Sequence, residues 1–312
     1  MSAAVIINPN AQGGSLGRRW PFLAKILRRE LGSFSELHTQ GPGDATRLTR
    51  EALLEGKNLI IAVGGDGTVN ETINGFFKDG QAVSEQASLG IIPFGTGGDF
   101  RRSLGIPNDV SKAAEILSTG RAQTIDVGFI EYTTRNSETE QRAFLNIASF
   151  GIGGLVDEIV NKSNKRLGGK VGFFLATAKA QFSYQNQRVR LIFDGDEAGS
   201  VENTIHSVAV ANGRYFGGGM HMAPNAKLND GQFDIVSLGD WKLGDTLRHS
   251  RRIYAGTHLE LPQVSLRRAQ ELRAEPLCNT EVKLDIDGET PGILPARFWI
   301  KPSAVQVIAP AL

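Results

Sequence analysis

Asn58-Leu-Ile-Ile-Ala-Val-Gly-Gly-Asp-Gly-Thr-Val-Asn-Glu71 decides the architecture of this chain. Leu59 to Val63 is a short, uninterrupted apolar run, as expected of a strand buried on both faces. It runs straight into Gly64-Gly65-Asp66-Gly67, and Thr68-Val69-Asn70 then opens a helical pattern. Glycines remove the side chains that would block a phosphate, their amides can point inward, and the following helix N-terminus adds partial positive charge. The run lacks the Gly-Lys-Ser/Thr ending of a Walker loop. Asp66 is unusual here, because a carboxylate beside a phosphate loop repels the ligand unless a metal or the chemistry requires it. Thr68 and Glu71 also have capping-box spacing, so Glu71 has a purely structural alternative.

The same design recurs on either side. Strands are expected at Ala4 to Asn8, Phe34 to His38, Leu59 to Val63 and Leu89 to Pro93, with helices at Leu16 to Leu31, Ala45 to Leu54, Val69 to Phe77 and Val110 to Leu117. This alternation predicts a parallel sheet covered by helices, with ligands at the carboxyl ends of the strands. Three further loops follow strands: Asn8-Pro9-Asn-Ala-Gln-Gly-Gly14, His38-Thr39-Gln-Gly-Pro-Gly-Asp44, and Pro93-Phe-Gly-Thr-Gly-Gly-Asp-Phe-Arg101 with Thr96 at its centre.

Beyond Asp126 the pattern becomes β-rich, with strands expected at Ala143 to Ile147, Arg188 to Phe193, Ile205 to Ala211, Phe233 to Ser237, Val282 to Ile286 and Arg297 to Ile300, and a sandwich fits it. Two helical stretches interrupt it, Lys170 to Gln181 and Leu243 to Tyr254. The second carries Arg248, Arg251 and Arg252, either as a solvated face or as a basic surface for anionic lipid. The expected division is 1–125 as an α/β nucleotide-binding domain, to which 302–312 returns, and 126–301 as a β-rich substrate domain.

Bulk properties narrow the function. At 312 residues, two domains are favoured. The 34 basic and 33 acidic residues leave no global field for a polyanion, so nucleic acid is disfavoured as a partner. The single cysteine, Cys278, permits no internal disulfide and suits a reducing, cytoplasmic compartment. The start of the chain lacks the pattern of a signal peptide and reads as a first strand. No apolar run approaches the ~20 residues of a transmembrane helix; the best, Val171 to Ala178, is bounded by lysines, so membrane contact would be peripheral. The five histidines show no metal-ligand spacing. Ser149 to Gly154 resembles a dinucleotide fingerprint only loosely and reads as a turn.

Together, Asn8-Pro9 with its glycines, Gly64-Gly-Asp-Gly-Thr-Val-Asn-Glu71 and Pro93-Phe-Gly-Thr-Gly-Gly-Asp-Phe-Arg101 resemble the catalytic domain of the diacylglycerol and sphingosine lipid kinases. The resemblance continues through Asn225-Ala-Lys-Leu-Asn-Asp-Gly-Gln-Phe-Asp234 and Asp285-Ile-Asp-Gly-Glu289. It implies an α/β N-terminal domain with a parallel sheet like that of NAD kinases and phosphofructokinases, a C-terminal β-sandwich, and ATP in the cleft. It places the nucleotide on Asn8, Pro9, Thr39, Gly64, Gly65, Asp66, Gly67, Thr68, Val69, Asn70 and Thr96. It assigns Mg²⁺ to Asp230 with backbone oxygens of Lys227 and Gln232, and the proton acceptor to Glu289; Asp66, as a carboxylate inside the phosphate loop, is expected to be catalytic too. Gly98 departs from the family, which usually has asparagine there. By themselves, Leu228-Asn-Asp-Gly-Gln232 and Asp287-Gly288-Glu289 also read as turns between strands.

The expected activity is ATP-Mg²⁺-dependent phosphorylation of a lipid hydroxyl, diacylglycerol-like acceptors first, at a membrane surface. An NAD kinase shares Gly-Gly-Asp-Gly-Thr, but the Pro-Phe-Gly-Thr loop and the C-terminal Asp-Gly-Glu stand against it. A nucleotide- or lipid-binding regulator without turnover is the alternative from another class. A second copy of the chain is left open as a partner.

Overall fold

A computed structural model describes residues 2–95, 97–134, 136–162, 184–277 and 281–310. Thr96, Cys278 and the helix expected at Lys170 to Gln181 lie outside them. Two compact units emerge, Met1–Val127 with Pro302–Leu312, and Gly128–Lys301.

The first unit starts with β1 (Ala3–Ile7), α1 (Ala11–Leu31), β2 (Ser35–His38), α2 (Asp44–Leu54), β3 (Leu59–Gly64) and α3 (Asp66–Phe76). A small hairpin, β4 (Phe77–Lys78) and β5 (Gln81–Ala82), precedes β6 (Ser88–Pro93), α4 (Asp99–Ser103) and α5 (Val110–Thr119). Thereafter come β7 (Arg121–Thr133), β8 (Thr139–Phe144), β9 (Ile147–Gly151), α6 (Ile152–Lys162), β10 (Gln187–Phe193), β11 (Val201–Ile205), β12 (Ser207–Ala211) and β13 (Phe233–Leu238). A helix α7 (Leu243–Ala255), then β14 (Val264–Ala269), β15 (Glu271–Pro276), β16 (Leu284–Ile286) and the long β17 (Ile293–Ala309) complete the chain.

In the first unit the parallel order is β6-β3-β1-β2, with Gln306 and Val307 of β17 added parallel beside β6. Every residue of β1, β3 and β6 is buried, as their unbroken apolar runs demand. Helix α1 packs on α5, and α2 on α3, so the two pairs cover opposite faces. Right-handed crossovers then change face between β1 and β3, which makes that junction the switch point of the sheet. Leu16, Trp20, Leu23 and Leu27 form the inward stripe of α1.

The second unit is a β-sandwich. One sheet, β14-β13-β12-β9-β16, is antiparallel throughout. The facing strands run β11-β10-β15-β17, with β7 and β8 beyond. Phe144 stacks on Phe233 at 5.6 Å and Phe150 on Phe298 at 5.9 Å within the shared core. On the other face of the five-stranded sheet, Ile147, Ala209, Ala211, Val236 and Leu238 pack with Trp241 and with Ile253 of α7.

Two expected strands are each broken in two. Ala143 to Ile147 is the end of β8 and the start of β9, because Asn146 Nδ2 donates to the carbonyl of Tyr215 (2.6 Å) while its own carbonyl takes the amides of Asn212 and Gly213. Ile205 to Ala211 is interrupted at His206, whose N–H donates to the carbonyls of Leu238 and Gly239. Ser149 to Gly154 is where β9 passes into α6. The polar stretch from Thr133 to Arg142 lies in the β7–β8 hairpin.

His206 is buried, with Nδ1 at 3.0 Å from Asn186 Oδ1. Burial drives its pKa from 6.5 down to about 4, against the opposing pull of Asp240 and Asp245. A depressed imidazole contributes stability that is present above pH 6.5 and is lost as pH falls towards 4, where the unfolded chain takes up a proton that the folded one refuses. The loss across that window reaches about 3 kcal/mol. His206→Asn should therefore lessen the fall in melting temperature from pH 6.5 to 4, the remainder including His221 and His258, which burial also depresses; a wild-type slope in the variant would exclude His206 as a contributor.

Candidate active site

The register sets four loops abreast. Ile7 pairs with both His38 and Val63, and Gly64 with Pro93, so Asn8, Thr39, Gly65 and Phe94 all leave the sheet at one carboxyl edge. The ladder continues one step past the strands: Thr39 N–H donates to Ile7 O (2.9 Å), Asn8 N–H to Val63 O (3.3 Å) and Phe94 N–H to Gly64 O (2.8 Å). The switch point falls between the Asn8 and Gly64 loops. There Asn8 Nδ2 donates to Thr68 Oγ1 at 3.2 Å and ties them together.

The glycines have separate causes. A Cβ on Gly95 would lie 2.8 Å from the Cα of Gly65, so the two loops touch backbone to backbone. A Cβ on Gly64 would collide with Thr68. Around Gly67, by contrast, the space is open. Gly65 caps α3 without any side-chain bond, and among the described residues this leaves first-turn amides available beside that opening. Thr39, Thr68 and Asn70 are buried polar groups at this edge, Val69 is buried in α3, and Pro9 lies under Gly17. In the first loop, Gln12, Gly13 and Gly14 take left-handed backbone at the start of α1. A concavity of about 380 Å³ adjoins the edge, lined by Gln12, Arg19, Phe94 and Gly95 among others.

Asp66 turns away from the opening. Its Oδ2 accepts from the amides of Gly98 (2.8 Å) and Asp99 (3.3 Å), and its Oδ1 from that of Phe100 (3.3 Å). The carboxylate thereby fastens the Gly95 to Gly98 loop and the start of α4 to the start of α3. Gly98 itself is left-handed (φ +64°), which glycine adopts without strain. Asp99 is buried and ion-paired with Arg102. Glu71 does not close a capping box on its own helix: its Oε2 accepts from Ala45 N–H (3.1 Å) and so caps α2.

In the second unit, the start of β13 and the end of β16 lie at the same end of the five-stranded sheet, since Asp234 pairs with Ala211, Ala211 with Ile147, and Ile286 with Ala148. Ile286 and Glu289 exchange both backbone bonds across Asp287 and Gly288, whose φ values of +48° and +91° suit a primed two-residue turn. Asp287 Oδ1 accepts from Ile147 N–H (3.2 Å) and Asp285 Oδ1 from Gly288 N–H (2.9 Å), so the turn is braced. Glu289 pairs with Arg142 Nη1 at 2.8 Å while its side chain stays 42% exposed.

Lys227, Asp230 and Gln232 share the turn that precedes β13. Asp230 Oδ1 accepts from Gln232 N–H (3.3 Å), and Oδ2 is ion-paired with Arg268, whose Nε also meets Asp234 at 3.1 Å. Burial pushes the Asp234 carboxyl above the usual carboxylate range, and its Oδ2 is buried without a hydrogen-bond partner. Among the described residues no group of three or more His, Cys, Asp or Glu could hold a metal ion. One carboxylate with backbone carbonyls still fits Mg²⁺ in kind, because that ion is commonly held by one or two carboxylates and retained water.

An NAD kinase-type two-unit architecture is therefore what the fold defines. Yeast NADH kinase superposes with a TM-score of 0.54 over the whole chain and 84% of its own, at 10% identity, which is a likeness of fold alone. Residues 2–130 match the diacylglycerol kinase catalytic domain, and 146–309 the YegS C-terminal NAD kinase beta sandwich-like domain. A Bacillus subtilis diacylglycerol kinase is 31% identical across 99% of this chain and 96% of its own length, and one from Staphylococcus carnosus is 27% identical across 99% and 95%. A crystal structure of a Bacillus anthracis diacylglycerol kinase covers 99% of this chain and 96% of its own with a TM-score of 0.74 at 27% identity. The chain belongs to the diacylglycerol kinase family.

Proposed function

We propose that this kinase transfers the γ-phosphate of ATP to the hydroxyl of a diacylglycerol-like lipid. The observation that carries the nucleotide half is the carboxyl edge of the first unit, where four loops, open space at Gly67 and uncapped α3 amides converge on the switch point. Asn8, Thr39, Thr68 and Asn70 supply polar contacts there, with Thr96 assigned by resemblance. Asp66 acts as a positioning residue that holds two of these loops in register.

Glu289 accepts the proton of the lipid hydroxyl as its oxygen bonds to the γ-phosphorus and the bond to the β,γ-bridging oxygen breaks, releasing ADP. The braced turn fixes the direction of this carboxylate, and its exposure leaves it reachable by an acceptor. Mg²⁺ would be held by Asp230 with the carbonyls of Lys227 and Gln232, and would supply positive charge that favours the anionic nucleotide. Family membership and the relatives' names support a lipid acceptor over NAD.

ADP release should be measured with ATP against diacylglycerol, phosphatidylglycerol, ceramide, sphingoid bases and NAD. Turnover with diacylglycerol is expected to exceed all others. Turnover with NAD alone would make this an NAD kinase, and ATP binding without turnover on any acceptor would favour a regulatory protein.

A further inference from the structure

Helix α7 turns Ile253 into the core, where it packs with Trp241, and tilts His249 against the same indole at 5.4 Å. The opposite face is exposed. Leu247, Arg251 and Tyr254 follow one another at helical spacing, with Leu247 67% and Tyr254 55% exposed and Arg248 beside them. The nearby acids are otherwise engaged. Asp245 caps the helix by accepting from Lys242 N–H (2.9 Å), and Glu260 pairs with Arg252 at 3.2 Å. Among the described residues Arg248 and Arg251 make no ion pair.

We infer that this outward face of α7 rests on an anionic phospholipid surface, with Leu247 and Tyr254 entering the interface and Arg248 and Arg251 meeting the headgroup phosphates. The inference rests on the lipid-acceptor reading, since such an acceptor lies in a bilayer. Charge complementarity favours a membrane: the face is cationic, and arginine keeps its stem along apolar surface while its head reaches outward. A protein partner fits less well. Leu247 and Tyr254 stand about 10 Å apart along the axis with cations between, whereas a stable protein interface needs roughly 800 Å² on each side around an apolar core.

The test is sedimentation of the full chain, without nucleotide, with vesicles of phosphatidylcholine alone or mixed with phosphatidylglycerol. Binding to the mixed vesicles is expected, weakening as salt rises. The double variant Arg248→Gln, Arg251→Gln should bind them roughly thirtyfold less tightly, and Leu247→Gln should weaken binding at any salt. Equal binding to neutral vesicles, or wild-type binding by the arginine variant, would overturn the inference. So would failure to bind vesicles together with a dimer that the same substitutions dissociate in ultracentrifugation. Melting temperature monitors folding, and turnover on a short-chain diacylglycerol in free solution should be unchanged in the arginine variant. Salt-sensitive docking by a wild type that phosphorylates no lipid would sink the lipid-kinase reading and still support the surface.

Discussion

Asp66→Ala is expected to lower both turnover and ATP affinity by about a hundredfold or more while the chain remains folded. The side chain accepts from three amides of the neighbouring loop, and a hydrogen bond to a charged group is worth about 1.5–3 kcal/mol. Losing the set frees Gly98, Asp99 and Phe100 from the start of α3 and loosens the loop that Gly95 packs backbone to backbone against Gly65. Asp66→Asn should fall between the two, since its NH₂ confronts donors with a donor. Calorimetry with ATP, ADP release and circular dichroism together decide the matter. Were Asp66 needed only for chemistry, affinity would survive as turnover vanished; turnover within a few-fold of wild type would reduce Asp66 to an ordinary turn residue.

Glu289→Gln should do the opposite and separate binding from rate. Nearly the same shape is retained, so ATP affinity should hold, while the chemical step loses about two to four orders of magnitude with its proton acceptor. The ion pair with Arg142 complicates this, because the substitution also removes a half-exposed interaction worth up to about 1 kcal/mol. Arg142→Gln breaks the same pair but leaves the carboxylate. If Glu289 serves only to hold Arg142, the two variants should behave alike; if it takes the proton, Arg142→Gln should be far milder. Rates at low and high Mg²⁺ provide the remaining distinction, since a weakened metal site refills by mass action. An unchanged kcat for Glu289→Gln would take this residue out of the reaction.

Much of the fold was legible because its decisive signals are local. A continuous apolar run entering glycines and leaving on a helix can be read within fourteen residues, and β1, β3 and β6 all show their buried strands this way. The Asp287-Gly288 turn was equally legible, since both positions demand positive φ. What escaped is what long-range partners decide. Nothing near Asp66 announces that its acceptors will meet the amides of residues 98 to 100, and Glu71 follows a capping pattern yet caps α2. Arg142 gives no local sign of meeting Glu289, 147 positions away. The breaks at Asn146 and His206 escaped similarly, being imposed by carbonyls and amides of distant segments.

Strand β17 has a consequence for how the polypeptide is made. Its later residues belong with the first unit, where Gln306 and Val307 flank β6, Ser88 bonds Gln306 at 3.3 Å and Ser303 N–H donates to Asp126 at 2.8 Å. The first unit therefore cannot be finished when its own first 127 residues have left the ribosome; it waits for all of residues 128–301 to be translated. Throughout that interval the flank of β6 that β17 will cover has no strand to pair with, an edge prone to pairing with other chains. A fragment cut after Val127 would keep that open edge permanently, so this half of the protein is a poor candidate for separate expression.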